Sequence, residues 1–108
     1  MTVTPTRFAT QLLTTSPVTL YTAPASTRAV IKRISVTNIT VTDATVKVTV
    51  TPSGGSAITL TNSSNVAAGT ALVLNEWANM VLQPGDAFAA QAGTASALNI
   101  AASGFVVS

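Results

Sequence analysis

Residues 44–51 read Ala-Thr-Val-Lys-Val-Thr-Val-Thr, and this stretch decides the fold class. Val46, Val48 and Val50 alternate with threonine and lysine, which gives a period of two residues. Such a period places the valines on one face of a β-strand and the polar side chains on the other. Val and Thr are β-branched, so they suit a pleated sheet better than a helix. The stretch therefore predicts a half-buried strand.

Similar alternation recurs along the chain, and turn-forming residues separate the runs. Further strands are predicted at 18–22, near 28–41, and around 58–60, 72–74 and 98–102. We expect a hairpin at 42–44, tight turns at 52–56 and 83–86, a short turn within 75–80, a loose polar loop at 62–69 and a connection at 93–96. About eight strands at this spacing predict an all-β fold, a single antiparallel β-sandwich or jelly-roll-like domain.

Lys32 interrupts the alternation of its predicted strand. If Val30, Ile34 and Val36 all face inward, then Lys32 faces inward as well. A β-bulge near Lys32 and Arg33 would turn both cations outward. Alternatively, Lys32 lies at a sheet edge or an oligomer seam and reaches water with its long side chain. The sequence leaves both interpretations open.

The two ends of the chain have different patterns. Residues 1–14 are expected to be an N-terminal arm that can include a first strand, and residues 15–108 to be the sandwich, in one domain overall. The apolar end at 104–108 predicts a last strand that is paired into a sheet. The stretch 87–107 is apolar but contains Gln, Asn, Gly and Ser and has no basic flank, so we expect two strands there and no membrane span.

The chain is poor in the side chains that perform chemistry. Charged residues make up 7% of it, against roughly 25% in ordinary soluble domains. It has no His and no Cys, which excludes a Ser-His-Asp arrangement, a cysteine nucleophile and most transition-metal sites. The acids are Asp43, Glu76 and Asp86, and the two aspartates lie in turn sequences where Asp usually bonds the backbone. We expect no catalytic residue, cofactor or metal, and a protein that is not an enzyme.

The uncharged surface and the few cations predict contact with other proteins. The cations form no dense basic stripe, so we expect no nucleic-acid partner, and we expect no membrane partner either. Weakly charged faces and strand edges predict a homo-oligomer or a subunit of a large assembly. Trp77 is either a core residue that closes one end of the sandwich or an exposed contact residue. The candidate interface residues are Arg7, Arg28, Lys32, Arg33 and Trp77.

Three stretches resemble a group of virus proteins. Residues 15–25 read Thr-Ser-Pro-Val-Thr-Leu-Tyr-Thr-Ala-Pro-Ala and lead into Thr-Arg-Ala-Val-Ile-Lys-Arg-Ile-Ser-Val-Thr-Asn at 27–38. A Leu-Gln-Pro-Gly-Asp turn at 82–86 then precedes an alanine-rich strand. This pattern resembles small β-rich virion structural proteins of tailed bacteriophages, both capsid decoration and tail accessory proteins. The resemblance implies assembly in the host cytoplasm, location in the virion, and the phage major capsid protein or another virion protein as the partner.

Three functions remain open on these grounds. The first is a capsid decoration or cement protein that binds the assembled shell, with cations that orient it on acidic groups of the shell. The second is an accessory protein of the tail, neck or baseplate. The third is a host-receptor or glycan-binding module of the same fold, which would use Trp77, Tyr21 and the polar residues at 62–65.

Overall fold

Nine strands and one 3₁₀ turn are present in the computed structural model, which describes residues 2–108. In chain order they are β1 (Val3–Leu12), β2 (Val18–Thr22), β3 (Arg28–Asn38), β4 (Ala44–Thr51), β5 (Ile58–Val66), β6 (Ala71–Val73), the 3₁₀ turn (Asn75–Trp77), β7 (Met80–Leu82), β8 (Ala87–Ala92) and β9 (Leu98–Val107). The observed β4 has the bounds predicted from the sequence, and its Val46 and Val48 are buried.

The strands form two packed antiparallel sheets. Sheet I has the order β1-β9-β3-β6, with β7 also paired to β3, and sheet II has the order β2-β8-β4-β5. The pairs are nested along the chain, since β1 pairs with β9, β2 with β8, β3 with β6 and β7, and β4 with β5. This nesting across two sheets is the jelly-roll form of the β-sandwich, and the predicted fold class is confirmed.

The core lies between the two sheets and is closed by aromatic rings. Phe8 packs against Tyr21 with 4.6 Å between ring centroids, and Trp77 lies 6.0 Å from Phe88. Around these rings the inward faces contribute aliphatic side chains that are fully buried, among them Leu13, Ile31, Ile34, Leu82, Leu98 and Ile100. The burial of one face per strand is what the period of two in the sequence requires.

A β-bulge at Lys32 resolves the irregularity in β3. The register with β9 shifts between Ile31 and Arg33, and both Lys32 and Arg33 are exposed. Ile31 is buried before the bulge and Ile34 after it, so the extra residue keeps the apolar side chains inward on both sides. The predicted bulge is confirmed, although Val30 faces outward and is half-buried. β3 lies inside sheet I, although residues 32–34 fall between its pairing with β7 and its pairing with β6, and the alternative of an oligomer seam at Lys32 stays a prediction.

The predicted hairpin at 42–44 is wrong, because β3 and β4 belong to different sheets. Asn38 ends β3 and turns the chain. Its amide nitrogen donates to the carbonyl oxygens of Thr42 at 2.8 Å and Val66 at 2.9 Å, and its amide oxygen accepts from the Thr40 backbone nitrogen at 2.9 Å. These bonds hold a crossing connection over the end of the sandwich. β3 therefore stops at Asn38, before the predicted end at residue 41.

The predicted loose loop at 62–69 is also largely wrong, because β5 continues to Val66. Polar residues are compatible with a strand here because β5 is an edge strand with one neighbour, β4. Two register shifts against β4 also change which residues face inward. Ile58 and Leu60 are exposed, whereas Thr61 is 1% exposed. The burial that the alternation in the sequence predicts is thus reversed in this strand, with the apolar side chains exposed and a threonine buried.

Both ends of the chain belong to sheet I. The residues expected as an arm form β1 from Val3 to Leu12, which pairs with β9 along its length. The last strand, β9, lies between β1 and β3, as the apolar chain end predicts. The apolar stretch at 87–107 forms β8 and β9, also as predicted. Within residues 2–108, no helix has the length and apolar character needed to cross a membrane.

Bulges, breaks and a proline interrupt the edge strands, where few charges are available. β1 contains Pro5 and a register shift between Arg7 and Ala9. β2 is five residues long with a shift of its own, and the 3₁₀ turn separates β6 from β7. Such features discourage open-ended strand pairing. The edges therefore give little reason to expect assembly by strand pairing.

Candidate interaction surface

The outer face of sheet I brings four of the five cations together. Arg7 of β1 and Arg33 of β3 both pair with Ser103 of β9, one from each side. Directly paired residues point to the same face of a sheet, and all three are exposed. Because neighbouring strands lie about 4.8 Å apart, the two arginine Cα atoms are separated by about 10 Å. Arg28 also lies on β3, opposite Val107, and is separated from Arg33 by one outward-facing pair, Val30 and Phe105. Lys32 is the bulge residue beside Arg33.

Two β-bulges position this arginine row, which we define as Arg7, Ser103 and Arg33. In β1 the extra residue is Phe8, which turns into the core. In β3 the extra residue is Lys32, which is exposed. Both bulges lie beside the same part of β9, so the row sits where the sheet is most distorted.

Gly104 allows β9 to pass between the two bulges. A Cβ atom at this position would collide with the carbonyl oxygen of Val30 and lie 2.9 Å from the backbone nitrogen of Lys32. Neither backbone atom can move without disturbing the pairing of β3 with β9. Position 104 therefore requires glycine for a close backbone approach, and its absent side chain helps to fix the arginine row next to it.

Two of the four cations have neutral partners. Arg28 Nε donates a hydrogen bond to the side-chain oxygen of Gln83 at 2.9 Å, and Lys32 Nζ donates to that of Asn79. These bonds orient the side chains and leave their charge uncompensated. Among the side-chain hydrogen bonds within residues 2–108, none is donated by Arg7 or Arg33.

Within residues 2–108, none of the three acids bonds a cation, and each accepts hydrogen bonds from uncharged groups. Asp43 accepts from the Ala68 backbone nitrogen and the Asn65 side chain. Glu76 accepts from the Thr61 hydroxyl. Asp86 accepts from the backbone nitrogens of Ser53 and Gln83. The predicted local backbone bond is confirmed for Asp86, which accepts from Gln83 three residues earlier, and is wrong for Asp43, whose backbone donor Ala68 lies 25 residues along the chain. The positive charge of the sheet I face is therefore not balanced by a carboxylate on that face.

Apolar and neutral polar side chains flank the arginine row. On one side, the next outward-facing row consists of Pro5, Phe105, Val30 and Val81 across four strands. Phe105 and Val30 are half-buried, and Val81 is 44% exposed. On the other side is a shallow depression of about 260 Å³, lined mainly by Thr10, Leu12, Ser35, Thr37, Asn99 and Ala101. The face thus combines charge, apolar area and hydroxyl groups.

The outer face of sheet II has a different composition. Its rows consist of threonine and alanine, such as Thr19, Ala89 and Thr49 across β2, β8 and β4. The fifth cation, Lys47, lies opposite Gln91 on this face. The β4 and β8 side chains that point outward here are half-buried by their neighbours. Lys47 is therefore the one charged side chain that the strands of sheet II contribute.

Trp77 lies in the core and is 0% exposed. Its Nε1 donates to the Thr61 hydroxyl at 2.9 Å, and that hydroxyl donates to Glu76. The interpretation of Trp77 as a core residue is correct, and its alternative role as a contact residue is wrong because a fully buried indole cannot touch a partner. The glycan-binding alternative also loses its largest aromatic side chain, while Tyr21 is half-buried against Phe8.

Sequence reasoning singled out the cations but missed Ser103 and Gly104. Nothing in the strand pattern shows that Arg7 and Arg33 meet across β9, because register depends on the whole sheet. A glycine inside an apolar strand was the available signal, since such a glycine often marks a bulge or a close backbone approach. The Asn38 turn was also missed, although an Asn followed two residues later by Thr at a strand end fits an Asx turn.

Comparisons with known proteins add little to this description. No protein-family model matches the chain, and no curated protein sequence matches it. The chain is similar to a chain in the structure of infectious bursal disease virus, Gx strain, with 14% sequence identity and a TM-score of 0.37. The match covers 96% of this chain and 36% of that chain. A similarity at this level carries no inference about function.

Proposed function

We propose that this chain is a non-enzymatic structural protein of a virus particle. More specifically, we propose a capsid decoration protein that binds the assembled shell of a tailed bacteriophage through the outer face of sheet I. The observation that carries the proposal is the gathering of four cations with exposed apolar side chains on one face, while all three acids bond elsewhere. The phage assignment is supported by the sequence resemblance at 15–25, 27–38 and 82–86.

The side chains on the surface favour contact over catalysis. Catalysis of most kinds needs a group that moves a proton or attacks a substrate. The chain has no His or Cys, and its few carboxylates accept hydrogen bonds that hold backbone and threonine groups. A protein interface instead needs an apolar centre with polar groups around it. The row of Pro5, Phe105, Val30 and Val81 beside the arginine row has this character.

The fold alone does not select the function. Jelly rolls occur in viral capsid domains, lectins and cupins, so the site must decide among them. A lectin-like role would require exposed aromatic or polar groups that contact a sugar, and the buried Trp77 does not supply one. We therefore place the shell-binding function first, and we expect the chain to act in many copies and to form a homo-oligomer.

Quantitative mass spectrometry of purified virus particles tests the proposal. The particles should come from the virus whose genome encodes this chain, and the number of chains should scale with the number of shell subunits. A few copies per particle would instead place the protein in the tail, neck or baseplate. Absence from purified particles would contradict the proposal as a whole. Sedimentation of the purified chain tests the homo-oligomer, and a stable monomer at about 10–100 μM would contradict it.

A further inference from the structure

We propose that the arginine row binds one carboxylate of a partner protein, and that the neighbouring apolar row receives an apolar side chain next to that carboxylate. This inference deepens the proposed function and rests on it for the partner being a virion protein. It adds the chemistry of the partner segment, which is an acidic side chain directly beside an apolar one.

The geometry of the arginine row suits a single carboxylate. Arg7 and Arg33 approach Ser103 from opposite sides, with Cα atoms about 10 Å apart. Guanidinium groups present a fixed fork of donors that matches the two oxygens of a carboxylate, and the Ser103 hydroxyl is a further donor between them. A carboxylate above Ser103 would also relieve the repulsion between the two arginines, since no acid of the chain lies in this row.

The position of the row within the sheet favours a preformed site. Gly104 and the two bulges fix the backbone on both sides of Ser103, and Phe8 anchors one bulge in the core. The backbone therefore need not rearrange when the ligand arrives, which lowers the cost of binding. Arg28 and Lys32 differ from this pair because each already donates to a neutral side chain of its own chain.

The surroundings favour a protein partner over a nucleic acid. A nucleic-acid backbone is bound through many phosphate contacts along a dense basic surface. Here the arginine row is bordered by Pro5, Phe105 and Val81 on one side and by neutral hydroxyl and methyl groups on the other. An apolar row next to a charged one matches the centre and rim of a protein interface.

Nuclear magnetic resonance titration of the isotope-labelled chain tests the inference. The probe is a capped peptide that alternates leucine and glutamate, and its counterpart has glutamine in place of glutamate. We expect saturable shifts of the backbone and guanidinium signals of Arg7 and Arg33 and of the Ser103 amide with the glutamate peptide alone. A matched pair of variants separates this site from general charge: Arg7→Gln with Arg33→Gln should weaken binding at least about tenfold, and Lys47→Gln on sheet II should leave it unchanged.

Two further variants test the guanidinium fork of Arg33 and the hydroxyl of Ser103 separately. Arg33→Lys keeps the charge and should still weaken binding, by less than Arg33→Gln does. Ser103→Ala removes the central donor and should weaken binding with the fold intact. Equal affinity of Arg33→Lys and the native chain for the glutamate peptide would overturn recognition of the carboxylate by the guanidinium fork.

Other outcomes also contradict the inference. It would be overturned by equal binding of the glutamine peptide, by shifts centred on β4 and β8, or by tighter binding of a DNA duplex at the same ionic strength. The result is separable from the particle test. Peptide binding by a chain that is absent from virions would leave the carboxylate site standing without the proposed function. If the chain is present in virions but does not bind the peptide, the proposed function stands and the carboxylate site is wrong.

Discussion

The outer faces of the two sheets are made by similar strands but carry different chemistry. Sheet I presents Arg7, Arg28, Lys32 and Arg33 together with exposed apolar side chains. Sheet II presents rows of threonine and alanine and the single cation Lys47. Sheet II also has register shifts, in β2 against β8 and in β4 against β5, so bulges alone do not make a charged face. Sheet I differs because its β1 and β3 strands contain four of the five cations, and its two bulges place Arg7 and Arg33 in one outward row beside Ser103.

Deletion of Lys32 and Arg33 together should have the largest effect on this comparison. Ile31 would then directly precede Ile34, so residues 28–31 shift by one position against β9 and Ala29 and Ile31 turn outward. We expect loss of the cooperative unfolding transition, measured by circular dichroism during urea titration. Deletion of Lys32 alone is the matched control, because it removes the extra residue, leaves Ile31 opposite Gly104 and Arg33 opposite Ser103, and should keep the transition. A single-deletion variant that loses the transition as the double deletion does would show that Lys32 is not the extra residue of the bulge.

The change Gly104→Ala should have the next largest effect, because it places a methyl group against the Val30 carbonyl between the two bulges. We expect a loss of about 3 kcal/mol in the free energy of unfolding, since backbone atoms cannot yield as side chains do. Gly55→Ala is the control, because a Cβ there would lie 3.5 Å from Pro52 in ordinary contact. Equal urea midpoints for the two variants would contradict the close approach of β9 to β3.

Loss of the hydrogen bond between Trp77 and Thr61 should have the third largest effect on stability. Thr61→Val keeps the shape of the side chain but removes the acceptor for Trp77 Nε1, which is buried. An unsatisfied buried donor costs about 2 kcal/mol. Thr59→Val, at an exposed position of the same strand, should change stability little. If both variants are equally stable by urea denaturation, the Trp77–Thr61 bond does not tie the 3₁₀ turn to sheet II.

The sequence predicted the strands and their bounds better than it predicted which strands pair with each other. The β4 strand and the paired last strand follow from the sequence pattern, and the bulge at Lys32 was one of the two interpretations that the sequence left open. The failures share a different cause. The hairpin at 42–44 and the loop at 62–69 were local interpretations, whereas Asn38 and the edge position of β5 act through contacts with distant residues.

The candidate site was predicted in its composition and not in its geometry. All four cations of the sheet I face were named as interface residues from the sequence. Their convergence on Ser103 depends on the register of three strands, and no local pattern contains that information. Trp77 shows the opposite case, because a buried hydrogen bond to Thr61 satisfies the indole and removes it from the surface.

The smallest expected effect on stability concerns the arginine row. Arg7→Gln combined with Arg33→Gln should change the free energy of unfolding by no more than about 0.5 kcal/mol, because neither side chain is buried or bonded within the fold. Lys47→Gln on sheet II should behave in the same way. A loss greater than about 1 kcal/mol in the double variant, measured by urea denaturation, would mean that the arginines serve the fold and not a partner.

Protection of single cysteines on the virus particle tests most directly whether sheet I is the contact face. The chain has no cysteine of its own, so each introduced thiol reports on one position. Ala101→Cys marks the exposed face of sheet I beside the arginine row, and Thr19→Cys marks the exposed face of sheet II. We predict that particle binding slows maleimide labelling at position 101 and leaves position 19 unchanged. Slower labelling at position 19 alone, or equal labelling of both in free and bound protein, would contradict the account.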